Sequence, residues 1–320
     1  MDAAVLHSLG KPPRFEQFPE PTPDEGEVSV HVRAAGLHPL VKALTSGSHY
    51  GSTDELPLIP GVDGVGRLDD GTRVYFGNAR EPYGTMAERT VVPLPMCIPL
   101  PDDLDDVTAA AAFNLGLSAW LALSWRAQLA PGENVLILGA TGVAGKLAVQ
   151  IAKGLGAGRV IAAGRNERVL RTLRELGADA TIRLDQPEDE LTGVVAREAA
   201  DTGIHVVIDY LWGRPTEAVL AAITRKGLTH VAPRVRLIEV GESAGPTITL
   251  PAAVLRSSAL EIYGSGAGTV PIDRVMEAIP QFIALAASGE LHIDTEQVAL
   301  AEIEDAWQRD QRGRRLVIIP

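Results

Sequence analysis

Three glycines, Gly139, Gly142 and Gly145, fall three residues apart in Asn134-Val-Leu-Ile-Leu-Gly-Ala-Thr-Gly-Val-Ala-Gly145. A continuous apolar run precedes them and an apolar-periodic segment follows, the order of a strand, a tight turn and a helix. Such a turn can cradle a pyrophosphate. Gly139 permits the turn, Gly142 lets phosphate approach the backbone, and Gly145 lets the helix pack against the strand. Thr141 lies in the turn, and the N–H groups of Val143 and Ala144 at the helix start would meet the phosphates. Gly-x-x-Gly-x-x-Gly departs from the commoner Gly-x-Gly-x-x-Gly, and glycine spacing alone also fits a merely tight βα turn. The apolar strand before it, the amphipathic helix after it and a second strand ending on schedule favour the nucleotide.

That second strand, Arg159-Val-Ile-Ala-Ala-Gly-Arg-Asn166, bears on which dinucleotide. A carboxylate here would accept hydrogen bonds from the adenosine ribose hydroxyls of NAD. The chain has Gly164, Arg165 and Asn166 instead. A missing carboxylate removes repulsion toward a 2′-phosphate, and a guanidinium can grip one with parallel hydrogen bonds. NADPH is the expected cofactor. The competing reading leaves Arg165 solvated and uses Asn166 to cap the next helix.

Composition bounds the rest. The chain has 320 residues, about twice the ~150 expected of one domain, so two domains are the starting point. A net charge of −12 repels phosphate backbones and argues against nucleic acid as a partner. The one basic cluster is Arg312, Arg314 and Arg315. The start shows no signal peptide, and the apolar stretches read as short or broken by Gly and Pro, so no membrane span is expected and the cytoplasm is the default. Cys97 is the only cysteine, which excludes an intramolecular disulfide and a Cys-rich zinc site. In Pro95-Met-Cys-Ile-Pro-Leu-Pro101 it reads as a half-buried, inert thiol.

The elements that position these residues change character along the chain. Glu27–Ala34 alternates, with Val28, Val30 and Val32 on one face and Ser29, His31 and Arg33 on the other. Short apolar runs follow at Gly61–Leu68, Thr72–Phe76 and Ala87–Pro93, the spacing of a compact β domain. From Asp106 a helix is expected to Leu123. Beyond it strands at Asn134–Leu138, Arg159–Ala163, His205–Asp209, Val235–Val240 and Leu260–Tyr263 alternate with helices around Val143–Leu155, Asn166–Leu176, Thr216–Thr224 and Arg274–Ala287. That rhythm implies a parallel sheet covered on both faces. A helix at Ala301–Arg309 and a strand at Arg315–Ile319 suggest that the chain returns to complete the first domain.

Together these residues resemble the medium-chain dehydrogenase/reductase superfamily, in its zinc-independent quinone oxidoreductase branch. The resemblance runs through Met1-Asp-Ala-Ala-Val-Leu6, Ala35-Gly-Leu-His-Pro39, Leu56-Pro-Leu-Ile-Pro-Gly-Val-Asp-Gly-Val-Gly66, Gly84-Thr-Met-Ala-Glu88, the glycine turn and Gly313-Arg-Arg-Leu-Val-Ile-Ile-Pro320. It implies an α/β protein: a GroES-like β-rich domain from residues 1–112 and 268–320, and a Rossmann doubly wound parallel-sheet domain from 113–267. The substrate would lie in the cleft between them. Zinc alcohol dehydrogenases of the superfamily carry a catalytic Cys and Gly-His-Glu where this chain reads Ala35-Gly-Leu-His-Pro39 and Gly61-Val-Asp63; a partial site from His38 and Asp63 is the lesser reading, and no metal is expected.

Without a Lewis acid, a quinone or an α,β-unsaturated carbonyl is the acceptor that fits, because conjugation spreads the charge that hydride transfer creates. A dedicated biosynthetic enoyl or ketone reductase and a non-catalytic NADPH-binding protein are the alternatives. Tyr50, in Ser46-Gly-Ser-His-Tyr-Gly51, lies near the position where related enoyl reductases place a proton-donating tyrosine, or it packs at the cleft rim. His38 replaces an asparagine that the related reductases often have beside the nicotinamide; it would be a donor or a satisfied surface imidazole. The resemblance also assigns Val240, Gly241, Ser265 and Gly266 to the nicotinamide side. It directs Arg309 at the cofactor, unless that residue is a solvated helix-end charge. Leu184 stands where many relatives have an adenosine-side tyrosine. His31, His205 and His230 receive no role. Homodimers are common among relatives, so a homodimer is expected, with Val235–Gly264 a possible interface.

Overall fold

The structure is a computed structural model and describes residues 1–201, 203–224, 232–266, 268–309 and 313–320. Two residues noted above, His230 and Arg312, lie outside these. The chain forms two compact units, one from Met1–Asn114 with Ile283–Pro320 and the other from Leu115–Phe282.

The first unit begins with strands β1 (Asp2–Val5) and β2 (Arg14–Gln17), which pair antiparallel. Then come β3 (Glu27–Leu37), helix α1 (Pro39–Ser46), β4 (Asp63–Leu68), β5 (Arg73–Gly77), β6 (Arg89–Pro93), β7 (Cys97–Pro99) and helix α2 (Asp106–Leu121). In β3 the alternation expected over Glu27–Ala34 shows from Val30 to Ala34 and then stops: Ala35, Gly36 and Leu37 are buried in succession. A register shift between Val32 and Ala34 marks the change. The strand is half-buried at its start and buried on both sides at its end, which is why an alternating pattern found only its first part. α2 starts in the first unit and finishes in the second, where its last turns run on as a π-helix over Ala122–Arg126.

The second unit follows with β8 (Asn134–Leu138), α3 (Val143–Gly154), β9 (Arg159–Gly164), α4 (Glu167–Thr172), β10 (Ala180–Arg183), α5 (Glu188–Asp201), β11 (Val206–Asp209), α6 (Gly213–Ile223), β12 (Val235–Glu239), α7 (Ala252–Ser257), β13 (Leu260–Gly264) and α8 (Ile272–Ala287). Among the described residues its sheet has six strands in the order β10-β9-β8-β11-β12-β13, every pair parallel. Counted along this unit the order is 3-2-1-4-5-6, the doubly wound arrangement, with its switch point between β8 and β11. Covered on both faces, β8 is buried at all five positions, as its continuous apolar run requires. The return to the first unit comes at Ile283 rather than at the expected 268. Phe282 holds most of α8 in the second unit: its ring lies edge-on to Trp120 at 6.5 Å. It also fills the space beside Gly116, where a Cβ would sit 2.2 Å from the Phe282 ring.

After α8, β14 (Thr295–Ala299), α9 (Ile303–Gln308) and β15 (Arg315–Ile319) complete the first unit. Its larger sheet runs β14-β15-β3-β4-β5-β7, with β6 pairing to β3. The last strand thus lies directly against β3, in register Leu316↔Leu37. One expectation needs correcting. Asp106–Arg126 is long and apolar enough, by length and composition, to cross a membrane, so the apolar stretches are not all short. More than half of its most apolar window is buried within the protein, as in a core helix built from Ala and Leu.

Candidate cofactor and catalytic site

Parallel strands bring all their C-terminal ends to one edge, and the expected cofactor residues of the second unit collect there. Gly139 has φ +86°, and a Cβ on Gly145 would fall 2.3 Å from the Gly139 oxygen. A Cβ on Gly164 would fall 2.4 Å from Thr141 Cγ2. These three glycines are demanded by the fold itself. Gly142 is not. It has φ −79° and ψ 168°, open to any residue, and an added Cβ would meet only the Gly139 oxygen at 3.5 Å. The fold gives no reason for a bare backbone at this exposed position; a phosphate seated against it would. Val143 and Ala144 open α3, in the first turn where N–H groups have no helical acceptor. The residues present therefore fit a pyrophosphate.

At the end of β9, Arg165 and Asn166 are exposed. Asn166 caps α4, its Oδ1 accepting from Val169 N at 3.2 Å, so the capping role applies. Arg165 bears its charge toward Asp185, whose carboxyl is held below the usual range by Arg183 first and by Arg165 among lesser causes. Sequence reading missed Arg183. It stands opposite Gly164 across the β9–β10 pair and makes a two-point ion pair with Asp185 at 3.0 and 2.7 Å. Two guanidinium groups therefore lie at this end of the edge. The only advance signal was the position of Arg183 beside Leu184.

On the other side of the switch point, Val240 N and Gly241 N both donate to Asp209 O, at 2.8 and 3.2 Å. Ser265 N donates to Glu239 O at 2.8 Å, and Gly266 N to Thr269 Oγ1 at 3.1 Å. Asp209 organises this region. It is fully buried, accepts from Leu211 N and Trp212 N at 2.9 Å each, and accepts again from Thr216 Oγ1. Burial pushes its carboxyl up against these hydrogen bonds. Glu239 is also raised, by burial and then by the charges of Asp209 and Glu242. Arg309 belongs to the first unit, where it ends α9 and pairs with Glu296 at 3.1 Å.

The two catalytic candidates sit in the first unit but are not brought together. His38 precedes α1 and Tyr50 lies beyond its far end, with about 12 Å of helix between. Tyr50 is 79% exposed and stacks on His49 at 4.0 Å, so it is not packed away. His38 is buried, not a surface imidazole. Its Nε2 lies 2.8 Å from Asp63 Oδ1, and Tyr75 Oη donates to Asp63 Oδ2 at 2.9 Å. Arg315 is buried alongside and donates to Leu37 O at 2.8 Å. Asp63, Tyr75 and Arg315 were not foreseen as a group, because β4, β5 and the far-off β15 supply them. Among the described residues no three or more His, Cys, Asp or Glu side chains cluster as metal ligands. Cys97 is half-buried, and burial pushes its thiol up to about 11.

The parallel sheet with a glycine turn beside its switch point is the architecture of a dinucleotide-binding Rossmann domain. The profile of the family described as "Zinc-binding dehydrogenase" matches residues 144–287. Over the full length of both chains, the protein is 28% identical to the "Probable NADPH-dependent quinone reductase tdiC" of Emericella nidulans. It is 28% identical to a 2-haloacrylate reductase of a Burkholderia species, across 78% of this chain and 80% of that one. Among solved structures, the quinone oxidoreductase of Thermus thermophilus, described also in its complex with NADPH, is 29% identical over both whole chains with a TM-score of 0.79. The chain is thus similar along its whole length to the quinone oxidoreductase-like branch of the medium-chain dehydrogenase/reductase superfamily, and it is an oxidoreductase.

Proposed function

We propose that the protein is a zinc-independent, NADPH-dependent reductase of quinones or α,β-unsaturated carbonyls. Gly142 carries this reading, as a glycine that the fold does not need at the place where a pyrophosphate would rest. Val143 N–H and Ala144 N–H would hold the phosphates at the start of α3. Arg165 would hold the 2′-phosphate, with no carboxylate at the end of β9 to oppose it. Val240, Gly241, Ser265 and Gly266 would line the nicotinamide side and Arg309 would add a basic contact. Bound NADPH would supply the hydride. Tyr50 and His38 are the candidate proton donors.

Zinc independence is supported by the single cysteine and by Asp63 in place of the Gly-His-Glu glutamate. The quinone and haloacrylate reductases among the relatives support a conjugated acceptor. The test is NADPH oxidation against a panel of quinones, enones, simple ketones and alcohols, each with and without a strong chelator. Turnover should be confined to conjugated acceptors and indifferent to the chelator. Turnover of simple ketones that chelation abolishes would place the protein with the metal-dependent members. No turnover, with NADPH bound, would leave a binding protein.

We also infer a cytoplasmic homodimer. β13 lies at the edge of the sheet and is paired on one side among the described residues, and an open edge is a ready surface for a second copy. Sedimentation at micromolar concentration should read the mass of two chains, and a single-chain mass would exclude this.

A further inference from the structure

Four polar side chains meet inside the first unit for which the glycine turn has no use. His38 is 1% exposed, Asp63 3% and Arg315 1%. They come from neighbouring strands: His38 follows β3, Asp63 opens β4, Tyr75 lies on β5 and Arg315 opens β15. Strand register brings them together, with Leu37 opposite Leu316, Ala35 opposite Gly64 and Val65 opposite Tyr75. Buried ionisable groups in such a set are either a structural network or working parts of a site.

The hydrogen bonds fix the protons. Burial pulls Arg315 down to about 10, with Asp63 partly opposing that fall, so it remains a cation at neutral pH. Tyr75 is pushed well above its ordinary value, by burial first and by Asp63 next. It keeps its proton and donates it to Asp63 Oδ2. An ionised Asp63 only accepts, so His38 Nε2, 2.8 Å from Oδ1, must carry a hydrogen. The variable proton therefore belongs to His38 Nδ1. That atom is buried and has no hydrogen-bond partner among the described residues. An unpartnered buried polar atom calls for an explanation.

We propose that His38 Nδ1 is the proton donor of the reduction, and that Asp63, Tyr75 and Arg315 are the positioning residues that make it so. This rests on the reductase reading above. The acceptor takes the hydride with its electron pair, and the displaced π pair moves to the acceptor's carbonyl oxygen. That oxygen takes the proton from His38 Nδ1, the N–H electrons stay on nitrogen, and water then restores the proton. Charge favours this direction. Asp63 and Arg315 cancel, so a protonated His38 gives the group one net positive charge to meet one developing negative charge. Among the described residues the charged or titratable groups joined to the imidazole, directly or through Asp63, are Asp63 from β4, Tyr75 from β5 and Arg315 from β15.

The test compares His38→Asn, Asp63→Asn and Tyr75→Phe with wild type, each checked for folding by its thermal midpoint. Wild-type kcat on an enone should fall along one alkaline limb, as general acid catalysis requires. His38→Asn should lose that limb and about 100-fold or more in kcat. Asp63→Asn should fall by a similar factor and move the limb to lower pH, because the anion that favours the imidazolium is gone. Tyr75→Phe should retain most of the rate and move the limb to higher pH, since a carboxylate with one hydrogen bond fewer attracts the imidazolium more strongly. Long-range nitrogen–proton NMR of the histidine rings, without cofactor, should show hydrogen on both ring nitrogens of His38 in wild type at the pH of maximal kcat. A bare Nδ1 there would overturn the proposal whatever the kinetics. So would an unchanged alkaline limb in folded Asp63→Asn and Tyr75→Phe, or a limb removed by Tyr50→Phe instead. A wild type that turns over no conjugated acceptor would sink the reductase reading itself, a result distinct from either of these.

Discussion

Gly142→Val should abolish NADPH binding in a protein that remains folded. A Cβ at this position meets only the Gly139 oxygen at 3.5 Å, and the backbone there suits any residue. The cost to the fold is that of a poorer residue at the start of α3, about 1 kcal/mol. The isopropyl group would stand where the pyrophosphate has to approach Val143 N–H and Ala144 N–H. Two hydrogen bonds to a charged group, at about 1.5–3 kcal/mol each, correspond to a loss of about 100-fold or more in Kd. Calorimetric titration should therefore show no measurable binding beside an almost unchanged thermal midpoint. Gly145→Val is the contrasting control. Its Cβ would sit 2.3 Å from the Gly139 oxygen and 2.5 Å from Ala140 Cα, so that variant should fail in folding before binding can be asked about. Full affinity in folded Gly142→Val would mean that the turn does not hold the cofactor.

The difference between those two glycines also marks what the sequence could convey. Spacing identified the turn, and the apolar run Asn134–Leu138 fixed its strand to the residue, because a strand buried on both faces needs apolar side chains throughout. Spacing could not say which glycine serves the fold and which the ligand. That distinction depends on what each missing Cβ would touch across the β8–α3 junction. The short elements were harder to read. β1, β2, β14 and α1 have four to eight residues each, too few for a periodic pattern to stand out.

In the sequence Asp63 is one letter of a departed metal motif, coupled to His38 only as a lesser reading of a partial metal site, and nothing there marks Tyr75 and Arg315 as their partners. Their relation is set by the pairing of β15 with β3 and of β4 with β5. Arg315 in particular opens an apolar strand in a run of arginines, where a solvated charge is the ordinary expectation. It is buried because β15 runs along the closed side of β3, which carries Leu37 and Ala35 into the core.

The second large effect should come from that arginine. Arg315→Met keeps much of the side-chain volume and removes the cation, leaving the Asp63 carboxylate buried without the charge that balances it. The change removes a charge that acts on Asp63 across the cluster and the donor to Leu37 O. Each buried polar group left unsatisfied costs about 1–3 kcal/mol, a large fraction of the ~5–15 kcal/mol that holds an ordinary domain folded. The variant should melt far below wild type or accumulate unfolded. Adding Asp63→Asn removes the buried charge on which Arg315 acts, so the double variant should recover part of the lost stability. Its activity should not recover, since neither change restores an anion beside His38 Nε2. A thermodynamic cycle over the two single variants and the double, read by denaturant unfolding, measures the coupling directly. If the penalties instead simply add, Arg315 is held in place by its bond to Leu37 O and by packing, and its charge does not serve Asp63. Strong coupling in stability, together with lost activity in the refolded double variant, would separate what the cluster does for the fold from what it does for His38.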